Sequence, residues 1–456
     1  MPVEILPLPR NSRSEKLQKT FYELYNKSPE FYIRVPGRVN LIGEHIDYSS
    51  YGVCPMALEQ DIFLAVSCHN DFTLLLHNID PKYHSFECPL SADLRITLME
   101  SGPQWHQYFL CGLKGILNLL ECGVNKGLQV VVSGSVPQNA GLSSSSALVS
   151  AAALAAAHAF ELSLLKEELA DVCAKSERYI GTQGGGMDQA IAFLAQEGSA
   201  KFIEFEPLRS TEVRLPSGAV FIIAHSLSSL NKAATDHYNC RVVECRLAAQ
   251  IIAMKKGLDW TQIKRLGELQ KILSLTLDDM IQITKESLKE TPYSKGDIVR
   301  ELNTTSSLLD TMSLTPNTRD LRSFKLYQRA LHVFYEAKRV KKFHETCQTP
   351  SEGKDSLVIL GRLMSDSHHS LKELYECSHP QIDKIVDMAR GFTLGTRLTG
   401  AGWGGCTVSL VMPEMAPKFI QYLIDNFYKP LGVTDNFDSV IFTTAPKGGA
   451  CVYTCD

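Results

Sequence analysis

The densest chemistry in the chain lies in residues 134–147, GSVPQNAGLSSSSA, where four serines enter an expected helix behind a glycine-containing turn. A helix start exposes backbone N–H groups and the positive end of its dipole. Hydroxyls there add donors and candidate Mg²⁺ ligands, and glycine lets the backbone approach a ligand without a Cβ. Together these features describe an anion cradle suited to phosphate. The alternative is a serine-capped turn that binds nothing. The segment is not the common P-loop, because no GxxxxGK[ST] occurs, and the HRD and DFG motifs of protein kinases are absent too.

A second segment, PGRVNLIGEHIDY (36–48), packs Arg38, Asn40, Glu44, His45 and Asp47 into ten residues just beyond an expected strand. Carboxylates and a histidine suit the hydroxyls of a sugar, since each takes part in directional hydrogen bonds. Arginine suits phosphate charge. A salt-bridged surface turn is the competing interpretation. In Gly184-Gly185-Gly186-Met187-Asp188-Gln189, three glycines precede a carboxylate and would let the backbone approach a ligand, a weak signal by itself. Residues 400–405 match G-x-G-x-x-G, but a strand pattern, Cys406–Met412, follows instead of a helix. A tight glycine loop fits better than a nicotinamide site. His368-His369 and Cys377-Ser378-His379 complete no metal set. Lys338, Arg339, Lys341 and Lys342 are expected to form a solvated face.

The elements that must position these residues follow from periodicity and turn signals. Strands are expected at 31–35 (ended by Pro36-Gly37), 61–67, 73–77, 128–134, 200–205, 219–225, 405–412 and 438–443. Helices are expected at 104–122, 144–160, 166–179, 356–375 and 414–427, with a mostly helical region from 230 to 345. Residues 345–355 read as a loop. Strands and helices mix without regular βαβ alternation, so the fold class is α+β. A boundary near 200–215 divides the chain into domains 1–208 and 209–456.

The chain has 456 residues, long enough for two to four domains and a sizeable core. Apolar residues make up 44% and charged residues 21%, near the globular average. With 46 basic and 50 acidic residues the net charge is −4, which gives no electrostatic reason to expect nucleic acid or an anionic membrane as partner. No signal peptide or membrane span is apparent. The 13 cysteines are scattered and form no CxxC pair, so a reducing, cytoplasmic setting is expected.

PGRVNLIGEHIDY closely resembles the galactokinase signature. VPQNAGLSSSSA and LTGAGWGGCTVS resemble the phosphate-binding and third motifs of the galactokinase, homoserine kinase, mevalonate kinase and phosphomevalonate kinase superfamily. All three occur in family order. The stretches KSERYIGTQGGGMDQ (175–189), LPSGAVF (215–221), NKAAT (231–235) and FKLYQRA (324–330) look like the N-acetylgalactosamine kinase branch. The resemblance implies two α+β domains with the active site between them, ATP and Mg²⁺, and phosphorylation of the anomeric hydroxyl of a sugar by a monomer. It favours N-acetylgalactosamine with some galactose activity. A galactokinase proper is the alternative. A non-catalytic sugar and ATP sensor is a third reading, against which Arg38, Asp188 and Ser146-Ala147 all stand in place.

By motif match, the resemblance makes Asp188 the catalytic aspartate and Arg38 the arginine facing it and the phosphate. Glu44, His45 and Asp47 match sugar-hydroxyl ligands. Gly185 matches a backbone approach to the sugar, and Tyr238 an aromatic sugar contact. Gly141 and Ser143, Ser144, Ser145 and Ser146 match the phosphate loop. One of these serines, taken as Ser146, and Glu177 match Mg²⁺ ligands. Trp105 resembles an adenine-pocket residue, and Gly400, Gly402 and Gly404 would shape the third loop.

Overall fold

The structure, a computed structural model, describes residues 1–455 apart from 92, 99–101, 122, 229–234 and 349–353. Residues 231–234 of NKAAT and residues 349–353 of the expected loop at 345–355 therefore lie outside it. In chain order the elements to residue 204 are β1 (Glu4–Pro7), α1 (Ser12–Tyr25), β2 (Phe31–Ile42), β3 (Cys54–His69), β4 (Thr73–Asn78), β5 (Phe86–Pro89), α2 (Trp105–Leu117), β6 (Gly127–Gly134), α3 (Ser144–Ala159), α4 (Lys166–Ser176), α5 (Met187–Leu194) and β7 (Ala200–Glu204). There follow β8 (Arg209–Val213), β9 (Val220–His225), α6 (His237–Lys255), α7 (Leu266–Leu273), α8 (Leu277–Ser287), β10 (Tyr293–Ser294), α9 (Lys295–Glu301), α10 (Ser306–Met312), β11 (Ser323–Phe324) and α11 (Leu326–Gln348). The last are α12 (Lys354–Glu373), α13 (Pro380–Met388), β12 (Gly395–Thr399), β13 (Cys406–Val411), α14 (Ala416–Leu423), β14 (Ile441–Thr444) and β15 (Cys451–Thr454). The content is α+β, and none of the described helices is long and apolar enough to cross a membrane.

The chain divides into two compact units. One comprises Met1–Val39, Met56–Ala200 and Ala445–Asp456, the other Asn40–Pro55 and Lys201–Thr444. The first is built on a seven-stranded sheet in the order β1-β15-β2-β3-β6-β4-β5. β15 lies parallel to β1 and antiparallel to β2, so a strand from the far end of the sequence sits inside this sheet. α1 covers part of it with Leu17 and Phe21 against Phe63, Ala65 and Val131. α3 is buried along nearly its whole length, as a helix apolar on every side must be. Its alanines let α2 come close: a Cβ on Gly112 would lie 1.9 Å from Val149 O. This packing anchors the helix that the serine loop enters.

The strand predicted to stop at Pro36-Gly37 continues to Ile42. Proline stops a strand only where its missing N–H is needed. Glycine at 37 admits the loop at Leu142, because a Cβ there would lie 2.8 Å from Leu142 O. Arg38 N–H then donates to that same carbonyl at 3.1 Å. Arg38 and Asn40 consequently stand on a strand, not on a loop after it.

The second unit carries a four-stranded antiparallel sheet in the order β12-β13-β9-β14. Ile222, Ala224 and Val411 pack against Ile385 of α13, Phe419 of α14 and Phe427. The helical region expected from 230 to 345 resolves into α6 to α11 with the short β10–β11 pair. α11 runs to Gln348, four residues into the stretch read as a loop. Of the expected solvated basic face, Arg339 turns inward: its side chain is 14% exposed and its Nε donates to buried Glu336 at 2.7 Å.

Candidate active site

In the first unit, β2, the serine loop and the start of α5 meet around one carboxylate. Gly186 has φ 106° and serves as N-cap of α5, which places Asp188 in the first turn of that helix. Arg38 Nε donates to Asp188 Oδ1 at 2.8 Å, and Arg38 Nη1 donates to Gly141 O at 2.5 Å. One guanidinium thus ties the carboxylate to the serine loop. Arg38 is only 5% exposed. Ser146 Oγ lies 2.8 Å from Glu177 Oε2 and 3.2 Å from Asp188 Oδ2. Gln189 Nε2 also donates to Glu177 Oε2. A hydroxyl has one proton, so two carboxylates converge on Ser146 and it satisfies one of them.

The loop before α3 turns through left-handed backbone at two positions. Gly141 has φ 74° and Ser143 φ 63°. Ser143 is the N-cap residue, yet no side chain caps the helix. The serine-capped turn weighed above is therefore not what forms. Among the serines, Ser146 is buried and faces the carboxylates, while Ser143, Ser144 and Ser145 are partly exposed. Trp105, at the start of α2, stacks obliquely on Tyr83 and donates its indole N–H to His84 O at 3.1 Å. Gly185 lies partly exposed in the turn before α5.

In the second unit the segment after β2 is nearly dry. Glu44, 1% exposed, accepts from Asn40 Nδ2 at 2.6 Å and from Gly400 N–H at 2.6 Å, with Arg397 Nη2 at 3.5 Å. Gly400 opens the third glycine loop, so Glu44 is fixed from that loop. His45 adopts a left-handed φ of 62°. Its Nε2 faces Ala401 O at 2.8 Å and its Nδ1 faces Tyr48 OH at 2.8 Å. A carbonyl only accepts, so Nε2 carries the proton and Nδ1 accepts from Tyr48. Burial pushes the imidazole down to about 3, which keeps it neutral. Tyr48 OH in turn contacts Tyr375 OH at 2.5 Å. Tyr238, on α6, lies with its ring 5.6 Å from His45 and 5.7 Å from Tyr48. Asp47 is half-buried at the head of a single helical turn. The third loop needs its glycines: Gly402 has φ 85°, and a Cβ there would lie 2.2 Å from Cys377 O.

Sequence reasoning singled out Arg38, Glu177, Asp188 and Ser146, which the structure brings together, and Glu44, His45 and Tyr238, which lie near one another in the second unit. It missed Gln189, Tyr48, Tyr375 and Arg397. Arg397 had no local signal, since it stands in the polar stretch Gly-Thr-Arg-Leu-Thr, and it is fully buried with Nη1 donating to Asn40 O at 2.8 Å. His368, weighed as a metal ligand, instead lies 3.4 Å from Asp383.

Family models match three parts of the chain: the galactokinase galactose-binding signature at residues 19–68, the N-terminal domain of GHMP kinases at 108–196 and their C-terminal domain at 354–429. The fold is that of this class. A crystal structure of Lactococcus lactis galactokinase complexed with galactose superposes with a TM-score of 0.75 at 23% identity, covering 96% of this chain and 99% of that one. Galactokinase of Dictyostelium discoideum is 39% identical, covering 96% of this chain and 94% of its own. Galactokinase of Saccharomyces cerevisiae is 34% identical, covering 98% and 96%. The chain belongs to the galactokinase family of the GHMP kinases and is an ATP-dependent sugar kinase.

Proposed function

We propose that this protein transfers the γ-phosphoryl group of ATP to the anomeric C1 hydroxyl of galactose, giving the α-1-phosphate and ADP. The observation that carries the reading is the Arg38–Asp188 pair tied to the serine loop, in a chain that shares 39% identity with a galactokinase. Oxygen O1 attacks the γ-phosphorus, the bond to the ADP oxygen breaks, and the O1 proton passes to the carboxylate of Asp188. Arg38 orients that carboxylate and offsets charge on the transferring group. Gly141 and Ser143 to Ser146 cradle phosphate with backbone and hydroxyl donors, and Trp105 lies against the adenine. Glu44, His45, Asp47, Gly185 and Tyr238 serve the sugar. Both ring nitrogens of His45 are engaged within the protein, so its ring shapes the sugar site while Glu44 and Asp47 accept from hydroxyls.

The donor set fits Mg²⁺. Ser146 and Glu177 offer hard oxygens 2.8 Å apart. Mg²⁺ takes only one or two carboxylates from a protein and completes its shell with phosphates and water. When bound there, the ion would neutralise charge developing on the phosphates.

N-acetylgalactosamine is the second reading, favoured by residues 175–189 and 324–330, which look like that branch. The relatives described above are named galactokinase, which supports galactose over the acetamido sugar. An ADP-release assay on the purified chain, comparing kcat/KM for galactose, N-acetylgalactosamine, glucose and N-acetylglucosamine, decides between them. Galactose is expected to lead. A tenfold preference for N-acetylgalactosamine would reverse the assignment, and no turnover with any of the four would refute the kinase reading. The protein is expected to act as a cytoplasmic monomer.

A further inference from the structure

α11 presents His332, Glu336 and Val340 at steps of four, which places them on one face of the helix. All three meet the turn that follows β2. Glu336 Oε1 accepts from Gly43 N–H at 2.9 Å. His332 Nε2 lies 3.1 Å from Glu44 O. Val340 Cγ2 stands 3.0 Å from where a Cβ on Gly43 would be. A carbonyl can only accept, so His332 holds its proton on Nε2, and Nδ1 accepts from Ser370 Oγ at 2.8 Å.

The clamp is itself held from behind. Glu336 also accepts from Ser367 Oγ at 2.7 Å and from Arg339 Nε at 2.7 Å. His332 and Glu336 are both 0% exposed. Burial pushes the Glu336 carboxyl up, but Arg339 and Arg397 outweigh it and leave it at about 2. Burial pushes His332 down to about 4. Near neutral pH the first is therefore charged and the second neutral, as the donor pattern requires.

The turn needs such support. Gly43 sits at φ 105° and His45 at φ 62°. A side chain held in the left-handed region is strained and persists only where its surroundings enforce it. Between these two residues stands Glu44, whose carboxylate must stay aimed.

We propose that His332 and Glu336 of α11 are positioning residues for the sugar: they grip the N–H of Gly43 and the C=O of Glu44 and so set the direction of the Glu44 carboxylate and the His45 ring. This deepens the sugar-kinase reading and rests on it. Neither residue touches a reacting atom. It also gives the long helix of the second unit a function beyond filling its core.

The test separates KM for galactose from KM for ATP in the full-length protein. His332→Leu and Glu336→Leu each remove one hydrogen bond to the turn, and loss of such a bond is expected to raise KM for galactose about tenfold. KM for ATP should stay within twofold. His332→Gln restores a donor near the Nε2 position and Glu336→Gln retains a carbonyl acceptor for Gly43, so both should recover most of the loss even if the leucine variants fold poorly. A purely structural role predicts lower active fraction and melting temperature with both KM values unmoved. That pattern, or KM for ATP rising in step with KM for galactose, would overturn the inference. If the native protein phosphorylates no hexose, the activity reading falls and takes this one with it. If the native protein is active and all four variants keep its KM for galactose, this inference alone falls.

Discussion

Replacing Arg38 by lysine keeps the positive charge and removes the fork. Arg38 reaches two acceptors on different segments, Asp188 Oδ1 at 2.8 Å through Nε and Gly141 O at 2.5 Å through Nη1. An ammonium is a single point and serves one of them. The side chains of the pair are 6% and 13% exposed, so solvent screens the contact little. At 2.8 Å and an effective dielectric of about 20, the gross attraction is about 6 kcal/mol. Desolvation of both ions offsets most of it. What the substitution reads is the loss of one hydrogen bond to a charged group, about 1.5–3 kcal/mol. With a tenfold change for about 1.4 kcal/mol, kcat for Arg38→Lys should fall by roughly 10- to 150-fold. Arg38→Ala, which loses both bonds and the charge, should fall by at least about 10³. The assay is ADP release at saturating ATP and galactose, with near-UV circular dichroism as the check on folding. A folded Arg38→Lys protein within threefold of native turnover would refute the reasoning.

Acid should destabilise the protein through its buried neutral histidines. Burial lowers His45, His332 and His368 from 6.5 to about 3, 4 and 4. Below pH 6.5 the unfolded chain binds protons that the folded one refuses until pH 3–4, so stability rises with pH across that window and is lost on acidification. Urea unfolding should show a loss of at least ~2 kcal/mol between pH 6.5 and 5; an unchanged urea midpoint would contradict the buried, neutral assignment. Gly402→Ala should disrupt the third loop, since its Cβ would meet the Cys377 carbonyl at 2.2 Å and φ is 85°. A cost of more than ~2 kcal/mol is expected in thermal unfolding, and a native melting temperature would mean the loop can shift freely.

What the sequence revealed was what depends on neighbours along the chain. The serine run, its glycine turn and the helix behind it are local features, and the structure forms that helix at Ser144–Ala159. The polar density of residues 36–48 is local as well. What stayed hidden depends on partners far away. Pro36-Gly37 reads as a stop, yet the strand goes on to Ile42 beside β3, with Arg38 N–H donating to the Leu142 carbonyl. Arg339 reads as solvated because lysines surround it, yet Glu336, one helical turn earlier, draws it inward. Tyr48 and Tyr375 are far apart in sequence, and no spacing rule would have paired their hydroxyls.

The position of β15 bears on the order in which the protein can be made. Cys451 pairs with Arg34, roughly 420 residues earlier. On a ribosome adding about 5–20 residues per second, β2 waits about 20–80 s for that neighbour. During this interval one edge of a buried strand lacks its partner, which makes the unfinished sheet a target for chaperones and for pairing with other nascent chains. A chain stalled on the ribosome before residue 445 should be cut by protease within residues 31–35, and the released full-length chain should not.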